Sequence, residues 1–284
     1  MDAGSRWSAN TRRAYAADWR DFERWAEARG VRTLPANPSA VELYLSEQAG
    51  VLAWPTVSRR RATIARMHLG AGLADPTAPL QASGAWEALR RRQQTSRRPA
   101  ISTPLTVPVL AEVIAALPRA LQGERDRALL LTGFAGAFRR SELVSVDLDD
   151  LDGDFQHGYL APAGARMVMI VRGRGRTCPV RALHAWWEDA HLTRGPLFRS
   201  VDRLGVPRNR LGPSAVSGIV KAGVARIGID PSGYSARSLR TGFIHAALAA
   251  GVSPAAVARQ AGLPGAQPAT DAPFTSGHLK AMGL

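Results

Sequence analysis

Apolar residues return at steps of three and four through most of this sequence, and that period constrains its fold more than any other feature. Tyr15, Trp19, Phe22 and Trp25 mark one face of a helix in "SANTRRAYAADWRDFERWAEARG", opened by Ser8 or Thr11 and closed by Gly30. "NPSAVELYLSEQAG" predicts a second helix entered through Pro38 and Ser39. A third starts at Thr56 and runs through "VSRRRATIARMHLGAG", and a fourth contains "GAWEALRRRQQ". "TSRRPAISTP" (95–104) loses the period and is rich in Ser, Thr, Pro and Arg, as a linker would be. Helical spacing resumes in "TVPVLAEVIAALP", "GERDRALLLTGFAGAF", "PVRALHAWWEDA", "SAVSGIVKAGVARIG", "SLRTGFIHAALAAG" and "SPAAVARQAG". Only "SVDLDDLDGDFQHGYLAP" and "RMVMIVRGRG" read as short strands around a turn. The expected architecture is mainly α with a small β-sheet. A helical domain over 1–94 and a linker over 95–104 precede a mixed α/β domain over 105–284.

Charge narrows the partner. The 284 residues carry 37 basic and 23 acidic side chains, a net charge of +14. Lysine occurs only at Lys221 and Lys280. A GC-rich genome accounts for arginine over lysine but not for the excess of cations, which points to a polyanion, most commonly nucleic acid. Residues 1–98 hold 16 arginines against 9 acids, so the helical part is the denser cation. No apolar run reaches the roughly 18 residues of a spanning helix, and no signal-like stretch opens the sequence. A cytoplasmic, nucleoid-associated location is expected. Cys178 is the single cysteine, which removes disulfide frameworks and cysteine-based zinc sites. The histidines show no metal-binding spacing. No cofactor, metal or small-molecule substrate is expected.

The candidate DNA contacts in the first part are Arg59, Arg60, Arg61 and Arg66 on the third helix and Arg90 and Arg91 on the fourth. Arg59 and Arg66, seven apart, share a face, while Ile64, Met67 and His68 are placed to pack inward. No acid lies within 56–70 to neutralise them. Arg12 and Arg13 count for less, because Asp18 and Asp21 follow on the same helix.

The sharpest signals come later. "GFAGAFRRSELVSVDLDDL" resembles the first arginine box of the tyrosine recombinases, the phage-integrase family, with Arg139 as the matching arginine and Glu142 as the matching acid. "GYSARSLRTGFIHAALAAGVS" resembles the family's second box, with Arg240 as its arginine. "GVSPAAVARQAG" is similar to the approach to the last active-site residues. "NTRRAYAADWRDFERWAE" is similar to the helical core-binding (SAM-like) domain. The resemblance covers nearly the whole chain. It implies a helical core-binding domain and a mixed α/β catalytic domain that clamp double-stranded DNA between them.

In that family a tyrosine attacks a DNA phosphate, two arginines steady the charge on its non-bridging oxygens, and a hairpin lysine and histidines move protons. Arg139 and Arg240 keep the phosphate-holding positions. Arg237 stands where the histidine of the second box is expected, and it cannot shuttle a proton near neutral pH. No lysine precedes Lys221, and the hairpin offers Arg166, Arg172, Arg174 and Arg176 instead. The nucleophile position falls at Ala272, or at Phe274 if two residues are inserted. No tyrosine follows Tyr234. Thr275, Ser276 and His278 are the available substitutes, and Pro264, Pro268 and Pro273 would break the helix that presents a nucleophile.

One reading is therefore a sequence-specific DNA-binding protein built on a recombinase frame, with no intact catalytic set. Such a protein would serve as a transcriptional regulator, an architectural factor, or a partner of an active recombinase, with self-association on DNA. The alternative is an active or partner-assisted site-specific recombinase. A decayed mobile-element gene is a third possibility, and the well-patterned helices argue against it.

Overall fold

The structure is a computed structural model that describes residues 9–96, 102–163, 166–263 and 274–284. The chain divides into two compact units, Met1–Ala100 and Ile101–Leu284. Among the described residues, seven helices carry proline in their first turn, where the ring fixes a helical φ and the missing N–H is no loss.

The first unit holds α1 (Ala9–Glu27), α2 (Pro38–Val51), α3 (Trp54–Gly70), α4 (Ala78–Ala82) and α5 (Ala85–Ser96). Its core gathers Phe22, Val41, Tyr44, Leu45, Val57, Ile64 and Leu80. Asn37 caps α2 by accepting a 2.9 Å hydrogen bond from the Ser39 backbone, and Gly30, at φ 64°, follows α1 where a left-handed residue is needed. The aromatic stripe of α1 is only partly inward: Phe22 is buried, while Tyr15, Trp19 and Trp25 are half-buried. Asp18 shares the buried side. On α3, Ile64 and His68 pack inward as expected, but Met67 is exposed. His68 Nε2 accepts a 2.8 Å hydrogen bond from the Ala36 backbone, so its Nδ1 donates to the Ile64 carbonyl at 2.8 Å. The short helix α4 is an addition to the four expected.

Both ends of the 95–104 stretch expected as a linker belong to described structure. Helix α5 runs through Thr95 and Ser96. Thr103 donates its backbone N–H to Gly233 at 2.8 Å, and Ser102 shares hydroxyl hydrogen bonds with Ser235 and Ser238, so this stretch belongs to the second unit. The remainder, 97–101, lies outside the described residues.

The second unit is built on α7 (Leu121–Ala135), whose C-terminal half is buried on every side from Ala128 to Ala135. Around it lie α6 (Val107–Ala116), α8 (Arg140–Ser145), α9 (Pro179–Asp189), α10 (Pro213–Arg226), α11 (Arg237–Ala249) and α12 (Pro254–Ala261). Strands β1 (Asp152–Asp154), β2 (Gly158–Ala163) and β3 (Arg166–Val171) form an antiparallel sheet in chain order. Its register sets Gly158 opposite Val171 and Ala163 opposite Arg166. A second ribbon pairs β4 (Arg199–Val201) with β5 (Pro207–Arg210). Gly242 lets α11 pass against the 105 backbone; a Cβ there would lie 2.0 Å from the Leu105 carbonyl oxygen.

The chain ends in α13 (Ser276–Ala281), which sequence alone does not announce. Leu279, Met282 and Leu284 all enter the core of their own unit. No helix among the described residues is long and apolar enough to cross a membrane, and no group of His, Cys, Asp or Glu among them could hold a metal.

Candidate phosphate site

The end of α7 positions the site. After Gly136 the chain turns through Ala137, at φ 48°, and Phe138 into Arg139, which caps α8. The Arg139 backbone N–H donates to Glu142 Oε2 at 2.7 Å, and its guanidinium donates to Glu142 Oε1 at 2.5 Å. This is the Arg-x-x-Glu spacing acting as a helix start: a carboxylate three residues in reaches back to the cap. Glu142 also accepts from Arg166 Nη1 at 3.0 Å. Burial would raise the Glu142 carboxyl, but the hydrogen bonds from Arg166 and Arg139 outweigh it and hold the pKa below the usual carboxylate value.

Arg240, one turn into α11, donates to the Ala137 carbonyl at 2.9 Å. The Gly262 carbonyl then accepts from Arg139 Nη2 at 3.2 Å and Arg240 Nη2 at 3.5 Å, drawing the two arginines together. Gly262 closes α12 in the left-handed region at φ 57°, and a Cβ there would stand 2.8 Å from the Arg166 side chain. Arg166 reaches this centre from the first position of β3. Its Nε and Nη2 are buried without a hydrogen-bond partner. The cluster thus contains three guanidiniums and one carboxylate. Burial, followed by the charges of Arg139 and Arg166, pulls the Arg240 pKa down to about 10. An anion bound beside it would relieve that cost.

In front of these residues lies an open pocket of about 510 Å3, lined by Arg139, Arg140, Arg237, Arg240 and the hydroxyl residues Ser217, Ser235 and Thr241. No carboxylate, lysine, histidine or tyrosine lines it among the described residues. Such a wall favours a phosphate, since a guanidinium offers two parallel donors and keeps its charge at any working pH. Among the described residues it supplies no group able to take up or deliver a proton near neutrality.

The remaining expected residues lie elsewhere. Phe274 is buried, packed edge-on against Phe243 with ring centroids 5.3 Å apart, and it is absent from the pocket wall. Ala272, Pro264, Pro268 and Pro273 lie outside the described residues. Thr275 and His278 hydrogen-bond each other across the first turn of α13. Tyr234 lines a separate groove with His245 and Ala246. Sequence reasoning named Arg166 only as one of four hairpin arginines. Its special place follows from its register opposite Ala163 at the hairpin turn.

The first unit changes the reading of α3. Arg59 donates to Asp18 at 2.6 and 3.1 Å, and that hydrogen bond raises the Arg59 pKa above its usual value. Arg60 is bound by Asp21, by the Tyr44 hydroxyl at 2.9 Å and by Gln48 at 2.6 Å. Asp18 and Asp21, the acids that follow Arg12 and Arg13 on α1, therefore pair with Arg59 and Arg60. Arg61 stacks over Trp86 at 5.0 Å, and Arg90 lies 3.7 Å from Glu87. Arg91 is exposed. Arg66 lines an α1–α3 groove of about 430 Å3 with Arg12, Arg20, Tyr15, Trp19 and Met67.

No family model matches the chain. An integrase/recombinase XerD homolog from Selenomonas ruminantium is 34% identical over 269 residues, which span 88% of this chain and 77% of that protein. The tyrosine recombinase XerC of Mycobacterium tuberculosis is 30% identical over 203 residues, 64% of this chain and 60% of that protein. Among solved structures, the Tn1549 transposon integrase in complex with circular intermediate DNA superposes with a TM-score of 0.61 at 13% identity, covering 92% of this chain and 88% of that one. The XerH site-specific recombinase bound to difH gives 0.55 at 14% identity, covering 96% and 76%. These two superpositions carry the fold.

Proposed function

Because the chain belongs to the tyrosine recombinase family, we propose that it keeps the family's grip on double-stranded DNA and has given up its own cleavage. It is a sequence-specific DNA-binding protein of the nucleoid, acting as a transcriptional regulator or architectural factor. The observation that carries this reading is the pocket at Arg139 and Arg240. Arg140, Arg237 and three hydroxyls join them there, so the wall is rich in phosphate donors. The position that would attack phosphorus is Phe274, in the core, or Ala272, and no tyrosine follows Tyr234. Arg237 in place of a proton shuttle adds a permanent cation, which favours holding a phosphate over turning it over. In the first unit, Arg66, Arg12 and Arg20 line a groove between α1 and α3 that offers DNA a basic surface.

A second reading is favoured by the name of the Selenomonas relative, an integrase/recombinase homolog. On this reading the chain acts in recombination with a partner subunit that supplies the tyrosine. A homomer of this chain has no tyrosine to supply from that region.

The test is covalent trapping. Genomic DNA recovered with the protein, including suicide substrates nicked near the site, is incubated with it and run on a denaturing gel. The expected result is specific binding with no protein left on the DNA, for the natural chain and for Phe274→Tyr alike. A covalent band from the natural chain would overturn the proposal and direct peptide mapping to residues 270–278.

A further inference from the structure

The opposite end of α7 carries a second basic cleft, which the site at Arg139 and Arg240 does not use. It has a volume of about 520 Å3 and lies among the end of α6, the start of α7, the 175–177 turn and the start of α9. Arg119, Arg127, Arg176 and Arg181 line it, over a floor that includes Leu117. The single carboxylate in its wall, Glu124, pairs with Arg127 at 2.6 Å and neutralises that one arginine. Among the described residues no carboxylate pairs with Arg119, Arg176 or Arg181, and all three are exposed. Fifteen residues of helix separate this end of α7 from the end that positions Arg139, a distance of about 22 Å at 1.5 Å per residue. One phosphate cannot serve both places.

We propose that this cleft is a second anion site, which takes phosphate groups independently of the Arg139–Arg240 pocket. Packing does not require three uncompensated guanidiniums from three separate segments around one opening, and their mutual repulsion opposes it. A phosphate reverses that sign. Its oxygens accept the paired donors of guanidinium groups at several angles, and the cleft has room for more than one phosphate. The first turns of α7 and α9 in its wall add positive partial charge to what the arginines establish. The phosphates come either from a stretch of DNA other than the one at Arg139, or from a small polyphosphate.

Calorimetric titration distinguishes these sources. The probes are inorganic tripolyphosphate and a short DNA duplex, and the proteins are the natural chain, Arg119→Gln with Arg181→Gln, and Arg237→Gln with Arg240→Gln. Thermal melts check the folding of each variant, since Arg119 and Arg181 are exposed whereas Arg240 is half-buried and donates to the Ala137 carbonyl. If a free polyphosphate is the ligand, the Arg119/Arg181 variant loses about tenfold or more in tripolyphosphate affinity while the Arg237/Arg240 variant keeps its tightest site. If DNA is the source, tripolyphosphate binds weakly, and the Arg119/Arg181 variant lowers the salt slope of duplex binding by about one to two. An unchanged tripolyphosphate affinity and an unchanged slope in that variant would overturn the proposal. The covalent-trapping result bears only on the first site, so the two ideas fail separately.

Discussion

Arginines meet opposite fates in the two units. On α3, Arg59 and Arg60 reach acids of α1, and the sequence's densest basic run becomes internal bracing. At the end of α7, Arg139, Arg140, Arg237 and Arg240 surround an open pocket, and the one nearby acid, Glu142, lies behind them on Arg139 and Arg166. A count of cations does not separate these cases. What separates them is what lies in front of the guanidiniums: acids of α1 on α3, and an open cavity at the end of α7, with Glu142 behind Arg139. Removing the acid from a paired arginine strands its charge, whereas an arginine facing a carboxylate-free cavity can offer donors to an anion.

The largest effect that would sharpen this contrast comes from the pocket. Arg237→Gln with Arg240→Gln should weaken DNA binding by about 3 kcal/mol, roughly a hundredfold, because charge-assisted hydrogen bonds to phosphate are lost. The fold should lose little, since burial and its neighbours already disfavour the Arg240 charge. A filter-binding titration at several salt concentrations reads the loss, and unchanged affinity would mean that DNA bypasses the pocket.

The next effect belongs to α3. Asp18→Asn removes the carboxylate that pairs with Arg59, while Arg60 keeps Asp21. With Arg59 42% exposed, the cost should be about 2 kcal/mol, below the roughly 3–5 of a fully buried pair. Urea unfolding measures it. Arg59→Ala with Arg60→Ala should likewise lower the urea midpoint and leave the salt slope of DNA binding unchanged. A lower slope with intact stability would break the contrast and return those arginines to the DNA surface.

The smallest effect is a pH dependence. The Glu142 carboxyl is held below its unfolded value of about 4.3, so its contribution is complete above that pH and disappears as pH falls through the lower folded value. Glu142→Gln should be less stable than the natural chain at pH 7. The gap should close as the pH is lowered below about 4. Parallel stability curves for the two proteins would show that Glu142 is not held charged by Arg139 and Arg166.

Much of this was legible before the structure. The helices of both units fall where the apolar spacing places them, and Arg139, Glu142 and Arg240 meet as the two boxes imply. Arg237 lines the same pocket. The misses share a cause. Residues 56–70 contain no acid, and Asp18 lies 41 residues from Arg59, so no local window contains both. Helix α13 escapes the sequence pattern because Leu279, Met282 and Leu284 are too short a series to be read alone, and the core of the unit stabilises it. Strands β4 and β5 are three and four residues long, below the length at which alternation becomes visible.

By itself the sequence determined the type of each long element, the basic character and the absence of a tyrosine after Tyr234, because these depend on residue identity and on spacing within one helix or strand. Tertiary structure alone decided which arginines are spent on acids, that Arg166 reaches Glu142, that the Gly262 carbonyl gathers Arg139 and Arg240, and that Phe274 sits in the core. Guanidiniums and carboxylates interact over a few ångströms of space, whatever their separation along the chain. Only a folded backbone sets those distances.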